Sequence, residues 1–350
     1  MSFSIINSRG FWQNGWLPNV STLDHFVSTL KRQGVDVQTF EVENASELDE
    51  LLSGLESGKL LLPNAYHVNP NPQGDEEELI WMSDVIAQHS LGSIGPRADC
   101  LKRLLQKHVC QSILQDNGVL VPEFCYIPPE EIENADAILK SAGITYPAIV
   151  KLTGESSGVG ISKDSVVNDS TEAVDQILNL HQSYHQGIIV ETYLPGPEFT
   201  AARFEANGEA LYLIAEYQVE DVSVFGYEER SIPWGKRKRM VKVQDPDLLR
   251  EIEGILDQVW KALDIKDVFR LDGRLDQDGR FRVFDVNGFP ALTHRKSATP
   301  ILCETIYSDY SADEVYEMLA NTIVFCAAQR EGIQIPNALS EKNFFKASLN

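Results

Sequence analysis

Positions 267–287 read DVFRLDGRLDQDGRFRVFDVN, two runs of strand-forming residues flanking Asp278-Gly279. Strand alternation sends Arg270, Asp272, Asp285 and Asn287 to one face and Phe269, Leu271, Phe284 and Val286 to the other. Asp-Gly is a favoured two-residue hairpin turn, and a loop closed there sets Asp272 opposite Asp285 and Arg270 opposite Asn287. Facing carboxylates repel unless a cation lies between them, and hard oxygen donors of this kind suit Mg²⁺. The alternative is an amphipathic hairpin with a solvated polar face, its acids neutralised by Arg270 and Arg274 in surface ion pairs.

Three other stretches carry chemistry. Lys151 closes the apolar run YPAIVKL and precedes TGESSGVGIS, where Gly154, Gly158 and Gly160 let backbone N–H groups approach an anion and the lysine supplies charge. The lysine precedes the glycines and no GK[ST] follows, so this is not a P-loop; a plain Gly/Ser turn is the alternative. In IIVETYLPGPEFTA, Glu191 ends one strand and Glu198 begins the next across a rigid Pro-Gly-Pro turn, an arrangement able to read an amine and hydroxyls or to serve as a polar connection. Lys236, Arg237, Lys238 and Arg239 form the one basic cluster, read as a solvated loop or as a source of positive charge for an anion.

The elements that must position these groups alternate early in the chain. HFVSTLKRQG fits a short helix, VDVQTFEV a strand, GKLLLPNAYHV a further strand and EEELIWMSDVIAQHS a helix, a pattern that predicts a parallel sheet. CLKRLLQKHVCQSILQDNG has apolar residues at helical spacing and is read as one helix stopped by Gly118. Strand-rich blocks follow around VPEFCYI, YPAIVKL and GIIVETYL, with a helix at STEAVDQILNLHQ between the last two. In DPDLLREIEGILDQVWKAL, Asp245 caps and Pro246 opens a helix with one apolar stripe, and a last helix starts at the capping box formed by Ser311 and Glu314.

Bulk properties narrow the class. The 350 residues are 43% apolar and 23% charged, which predicts a globular chain of two or three domains. A formal net charge of -22 disfavours nucleic acid as a partner. No apolar run is long enough to span a membrane and no signal core is apparent, so a cytoplasmic location is expected. The 5 cysteines show no metal-ligand spacing and no disulfide framework.

Taken in order, a helical lysine, IVKLTGESSGVGIS, VETYLPGPEFT and FRLDGRLDQDGRFRVFDVN resemble the motif series of the ATP-grasp superfamily, and within it the D-alanine–D-alanine ligase-like carboxylate–amine ligases. The resemblance spans roughly residues 95–330. It implies an α/β fold, α+β in its C-terminal part, with three subdomains: 1–95, an N-terminal α/β domain; 96–197, the central part with the Gly/Ser lid; and 198–350, the C-terminal part with the metal hairpin. ATP would lie between the last two.

By this resemblance Lys107 and Lys151 hold the ATP phosphates, and the loop 155–160, with Glu155, Ser156, Ser157, Gly158 and Val159, closes over them. Glu191 binds the adenine amine beside the backbone of Thr192, Tyr193 and Leu194, and Glu198 takes the ribose hydroxyls. Asp272, Asp285 and Asn287 ligate two Mg²⁺ ions, with Mn²⁺ as a substitute. Arg270 and Ser157 act at the reacting phosphate, and Arg230, in YEER, stands where the family has a phosphate-binding lysine. The implied reaction activates a carboxylate as an acyl phosphate, which an amine attacks to form an amide. Small-molecule acids and amines are the implied partners, and the family is commonly dimeric.

The chain departs from the pattern at both substrate ends. The family's N-terminal glycine-rich segment, which ends in a glutamate for the first substrate's amino group, is replaced by IINSRGFWQNGW. Its small-residue, serine-containing stretch after the metal asparagine is replaced by GFPALTHRKSAT, which nominates Ala291, His294, Arg295 and Lys296 as contacts for an anionic substrate. These departures point to a ligase for an amino acid or similar amine and a carboxylate other than D-alanine, in peptide-like or secondary metabolism. The competing readings are a D-alanine–D-alanine ligase with an altered N-terminal pocket and a non-catalytic ATP-binding protein.

Overall fold

The computed structural model describes residues 1–8, 23–56, 58–68, 80–155, 158–220, 232–235 and 237–348. Its first six strands are β1 (Ser2–Ser8), β2 (Asp36–Val42), β3 (Leu60–Pro63), β4 (His67–Val68), β5 (Ile80–Trp81) and β6 (Gly92–Ser93). Four of them form the expected parallel sheet in the order β2-β1-β3-β6, while β4 and β5 pair as a short antiparallel ribbon. Parallel neighbours need crossovers, which the helices Asp24–Arg32, Ala45–Ser53 and Met82–Gln88 supply. Phe26 and Leu30 pack on one face of the sheet, and Leu48, Leu52 and Ile86 on the other. The single strand expected in GKLLLPNAYHV is two, β3 and β4, because residues 64–66 turn the chain between them.

A second, antiparallel sheet holds β7 (Phe124–Ile127), β8 (Ala148–Leu152), β9 (Val166–Val167) and β10 (Ile188–Thr192) in the order β7-β10-β8-β9. The helices Ala135–Ala142 and Ser170–Tyr184 cover it through Leu139, Ala173, Ile177 and Leu180. Asp169 caps the longer one by accepting from the backbone N–H groups of Thr171 and Glu172.

The third sheet has five antiparallel strands, β11 (Glu198–Ala206), β12 (Glu209–Val219), β13 (Lys238–Lys242), β14 (Val268–Leu275) and β15 (Phe281–Asn287), in the order β13-β12-β11-β14-β15. Helix Pro246–Leu263 starts as expected, with Asp245 accepting from Asp247 N and Leu248 N, and buries Ile252, Leu256, Val259 and Leu263 on one face of this sheet. The opposite face meets helix Ala312–Glu331, which opens on the Ser311/Glu314 capping box and is buried on most sides from Val315 to Ala328. That helix also packs against the parallel sheet, so one core joins both layers. It is not the last helix: Asn337–Glu341 and Phe344–Ala347 follow. Lys238 and Arg239, expected in a solvated loop, are the first residues of β13, and Lys238 is buried with its ammonium over the Trp234 ring.

One buried carboxylate ties the layers together. Asp267, just before β14, accepts from Gly95 N at 2.8 Å and from Arg330 Nε and Nη2, both at 2.8 Å. Arg330 Nη2 also donates to Ser93 O at 2.6 Å, so the edge strand β6, the long helix and the start of the hairpin meet at one ion pair.

Two expected elements differ in detail. The stretch 98–116 is two helices, Ala98–Leu105 and Lys107–Asp116, broken at Gln106 (φ -106, ψ 96). Lys107 N turns out to donate to Thr153 O, a bond a continuous helix would have directed to its own carbonyl. In the hairpin, Asp272 pairs with Asp285 and Arg270 with Asn287 as expected, but by a different route. The last pair is Leu275 with Phe281, and Gly279 (φ 75) completes a longer turn closed by Asp276 N donating to Arg280 O. A bulge beside Gly273 then shifts the register back by one residue. That extra residue is Phe284, which therefore leaves the core face assigned to it and turns to the same side as Asp285.

Gly273 makes room for this bulge, since a Cβ there would lie 2.2 Å from Phe281 Cζ and 2.6 Å from Arg282 O. Gly273→Ala is expected to lower stability by about 1–3 kcal/mol in chemical denaturation, and an unchanged midpoint would contradict this packing. A second prediction concerns His67, which burial, reinforced by Lys102, pushes down to about 4. The unfolded chain binds that proton already near pH 6.5, so stability present above this pH is lost as pH falls toward 4. Melting temperatures across that window should fall less steeply for His67→Gln; an identical slope would refute the assignment.

Candidate functional site

A cleft of about 820 Å³ opens between the second and third sheets. Lys107, Lys151, Glu155, Gly158, Val159, Glu191, Thr192, Tyr193, Leu194 and Glu198 all line it, together with Asp285. The sequence nominated these eleven positions from segments up to 178 residues apart, since Lys107 and Asp285 (285 - 107 = 178) share one wall. Ser156, Ser157, Arg230 and Lys236 lie outside the described residues.

Strand register brings the first charge pair together. Lys151 on β8 pairs with Ile189 on β10, so Glu191, two residues further along, is its diagonal neighbour on the same face. Lys151 Nζ donates to Glu191 Oε2 at 2.6 Å with the two side chains 7% and 1% exposed. Gln111 Nε2 donates to the other carboxylate oxygen at 2.8 Å. Lys107, the first residue of its helix, donates from Nζ to the backbone oxygen of Glu155. Burial pushes the Lys107 ammonium below the usual lysine range; Lys151 acts in the same direction, while Asp285, Glu191 and Glu155 oppose it. Burial raises the Glu155 carboxyl, although Gln186 donates to its Oε1 at 2.7 Å. A buried and a half-buried ammonium group facing one cleft favour an anion between them.

The far end of the cleft is organised by Arg274, which sequence reasoning placed only in surface ion pairs. Its guanidinium donates to Tyr193 OH at 2.9 Å and Leu194 O at 3.1 Å, and lies 3.4 Å from Glu198. It thereby fixes the strand end and the carboxylate together. Phe284, turned inward by the bulge, adds an aromatic wall with Lys151 Nζ 5.0 Å from its ring centre.

On the hairpin, Arg270 donates to both oxygens of Asp272 at 3.2 and 2.9 Å, and Thr200 Oγ1 donates to Asp272 at 2.7 Å. Arg270 and Asp272 are 6% and 3% exposed, so the alternative of a solvated polar face does not hold for this pair. Asp285 and Asn287 lie opposite them, with Asn287 Nδ2 donating to Asp285 Oδ2 at 3.0 Å. Two carboxylates and an amide oxygen on facing strands are a hard-donor set that fits Mg²⁺. Asp285 and Asn287 reach a cavity wall, whereas Asp272 and Arg270 line neither of the two cavities described here.

A second cavity, of about 1040 Å³, adjoins the first. Lys107, Glu155 and Asp285 line both, so the cleft opens directly into it at these three residues. Ala291 is in its wall, but His294, Arg295 and Lys296 are not. His294 stacks on His25 at 4.0 Å and lies 3.4 Å from Asp313. Arg295, at φ 56, points an exposed guanidinium to Asp313 at 3.6 Å, and the Lys296 carbonyl accepts from Trp234. Sequence reasoning missed Gln111, Tyr66, Thr200 and Phe284. Only the first carried a local signal, being one helical turn from Lys107.

Residues 113–312 match the protein family described as D-ala D-ala ligase C-terminus. Over 299 residues the chain is 26% identical to the D-alanine--D-alanine ligase of Pseudomonas entomophila (strain L48), covering 85% of this chain and 86% of that one. The D-alanine--D-alanine ligase B of Pseudomonas putida is 27% identical over 76% of this chain and 77% of its own. Among solved structures, the D-alanine--D-alanine ligase of Bacillus anthracis complexed with ATP superposes with a TM-score of 0.67 at 16% identity, over 95% of this chain and 99% of that one. The VanG D-Ala:D-Ser ligase of Enterococcus faecalis gives a TM-score of 0.67 at 15% identity, over 92% and 99%.

The buried Lys151–Glu191 pair makes a stability prediction independent of any ligand. Lys151→Met strands a buried carboxylate and should cost about 3–5 kcal/mol, whereas adding Glu191→Leu should recover part of that loss. Denaturant titration of both variants tests this; a double variant weaker than Lys151→Met would refute the coupling.

Proposed function

The chain belongs to the D-ala D-ala ligase C-terminus family, and from that premise we propose how its residues join a carboxylate to an amine. It is an ATP-dependent, amide-bond-forming ligase with an ATP-grasp fold. One observation supports the site assignment most directly: the cleft lined by Lys107 and Lys151 meets the second cavity at Lys107, Glu155 and Asp285. A nucleotide in the first would present its terminal phosphate to an acid in the second.

In this reading the adenine lies against Phe284 near Glu191 and the backbone of Thr192, Tyr193 and Leu194. Glu198, oriented by Arg274, takes the ribose hydroxyls. Lys107 and Lys151 hold the phosphates, and the loop 155–160 covers them, Ser156 and Ser157 contributing hydroxyls. Asp272, Asp285 and Asn287 would hold a pair of Mg²⁺ ions, or Mn²⁺, which supply charge stabilisation to the transferred phosphoryl group. A carboxylate oxygen of the acid bonds to the γ-phosphorus as the bond to the ADP oxygen breaks. The amine then attacks the acyl carbon, the C–O bond to phosphate breaks, and the amine's proton is lost to solvent or phosphate. Lys107 and Arg270 stabilise the negative charge that both steps concentrate on oxygen. Arg230 or the 236–239 cluster supplies the further cation.

The products belong to peptide-like or secondary metabolism in this reading, with an acid other than D-alanine. The names of the relatives support a second reading, in which D-alanine is both acid and amine. Phosphate release and product mass with MgATP and matched sets of acids and amines, D-alanine included, distinguish them. Asp285→Ala should lower kcat by about 100-fold or more, and normal MgATP turnover in that variant would remove Asp285 from the metal set. Nucleotide binding with release on no pair would favour a non-catalytic ATP-binding protein.

A further inference from the structure

The second cavity is polar at one end and apolar in its body. Lys107, Asp285 and Asn287 gather where it meets the nucleotide cleft, and Lys107 is the only cation among the described lining residues. Beyond these and Glu155 the described lining is mainly apolar, with Leu23, Leu101, Leu105, Phe289 and Leu292, and its other polar side chains, Asn64 and Tyr66, are uncharged. The cations of the stretch after the hairpin do not line this space: His294 stacks on His25, Arg295 reaches Asp313, and Lys296 is exposed with its backbone carbonyl accepting from Trp234. What the stretch presents to the cavity is its apolar part, 288–292.

This wall is fixed in place. A Cβ on Gly288 would lie 2.4 Å from Leu104 Cδ1, and one on Gly95 3.1 Å from the Phe289 ring, so the stretch is pressed against helix Ala98–Leu105 and residue 95. Tyr316 OH donates to Leu292 O at 2.7 Å, holding the other end. A small substrate such as alanine would leave this surface against water, and a charged side chain would be desolvated there without a partner of opposite charge.

We infer that the acid activated by this enzyme carries a bulky aliphatic or aromatic group, which fills the apolar body while its carboxylate pairs with Lys107 at the junction with the nucleotide cleft. The inference rests on the ligase reading above, and the bonds made and broken are those given there. A single methylene in an apolar pocket changes kcat/KM by roughly 10-fold to 200-fold, so discrimination against alanine should be large.

The full-length protein with MgATP is to be assayed for phosphate release and product mass with D- and L-alanine, leucine, phenylalanine and glutamate and the corresponding acids lacking the amino group, each against a common set of amines. Leucine- or phenylalanine-like acids are expected to exceed alanine-like ones by about 10-fold or more in kcat/KM, with glutamate inactive. Leu105→Trp, which fills the body, should shift the preference toward small acids; Leu105→Gln, close in size but polar, should weaken the bulky acids and serves if the first variant does not fold. Turnover that favours alanine or glutamate overturns the inference and leaves the ligase reading intact. Release on no pair overturns the ligase reading, and the cavity is then judged by thermal shifts with a non-hydrolysable ATP analogue and the same acids. Shifts that rise with apolar size support an apolar-acid site; equal shifts, or the largest with alanine, overturn it.

Discussion

Burying charge in a protein demands partners, and this constraint orders the site more than any other. Lys151, Glu191, Arg270, Asp272 and Asp267 are each less than a tenth exposed. Each is held by an opposite charge, and each of the three carboxylates by a further hydrogen bond: Gln111 on Glu191, Thr200 on Asp272, Gly95 on Asp267. An unpaired buried ion costs several kcal/mol (about 3–5 when a partner is removed), so these residues fix the strands that carry them. Lys107 stands apart in this set. Its lowered proton affinity and its bond to a backbone oxygen describe a cation with room for an anion.

The hairpin shows how backbone irregularity serves the same end. A two-residue turn with a regular ladder would also have set Asp272 opposite Asp285, but with Phe284 in the core. The longer turn at Gly279 and the bulge beside Gly273 cancel in register at the acids and differ only in where Phe284 goes. The protein thereby gains an aromatic wall in the cleft and keeps Phe281, Val283 and Val286 in the core beneath. Gly273 is a glycine for steric reasons at this one crowded point.

The two cavities differ in what lines them. The lining of the first lies, Lys107 aside, within residues 113–312 that match the family, and it combines charged side chains with the aromatic rings of Phe284 and Tyr193. The second is bounded by residues 63–66 at and after the end of β3 in the N-terminal sheet, the helix before Lys107 and the stretch after Asn287. The two cavities meet at Lys107, Glu155 and Asp285, and the buried ion pair of Asp267 and Arg330 ties together the layers that carry them.

Local sequence determined the elements whose signals are local. The alternation of β14, the Asp245-Pro246 start, the Ser311/Glu314 box and the Gly118 stop follow from short-range geometry and were legible in the order of residues. So was the grouping of the cleft residues, because a motif series read against a known family carries three-dimensional information that composition alone lacks. Tertiary structure decided the rest. The break at Gln106 satisfies a carbonyl at Thr153, 47 residues away (153 - 106 = 47), and no helical period predicts it. The inward turn of Phe284 depends on a bulge, Arg274 joins Glu198 only through strand pairing, and His294 and Arg295 lie away from the second cavity, where His25 and Asp313 meet them from distant segments. A side chain's type fixes what it can bind, but which partner it meets is set by contacts between segments that only the folded chain brings together.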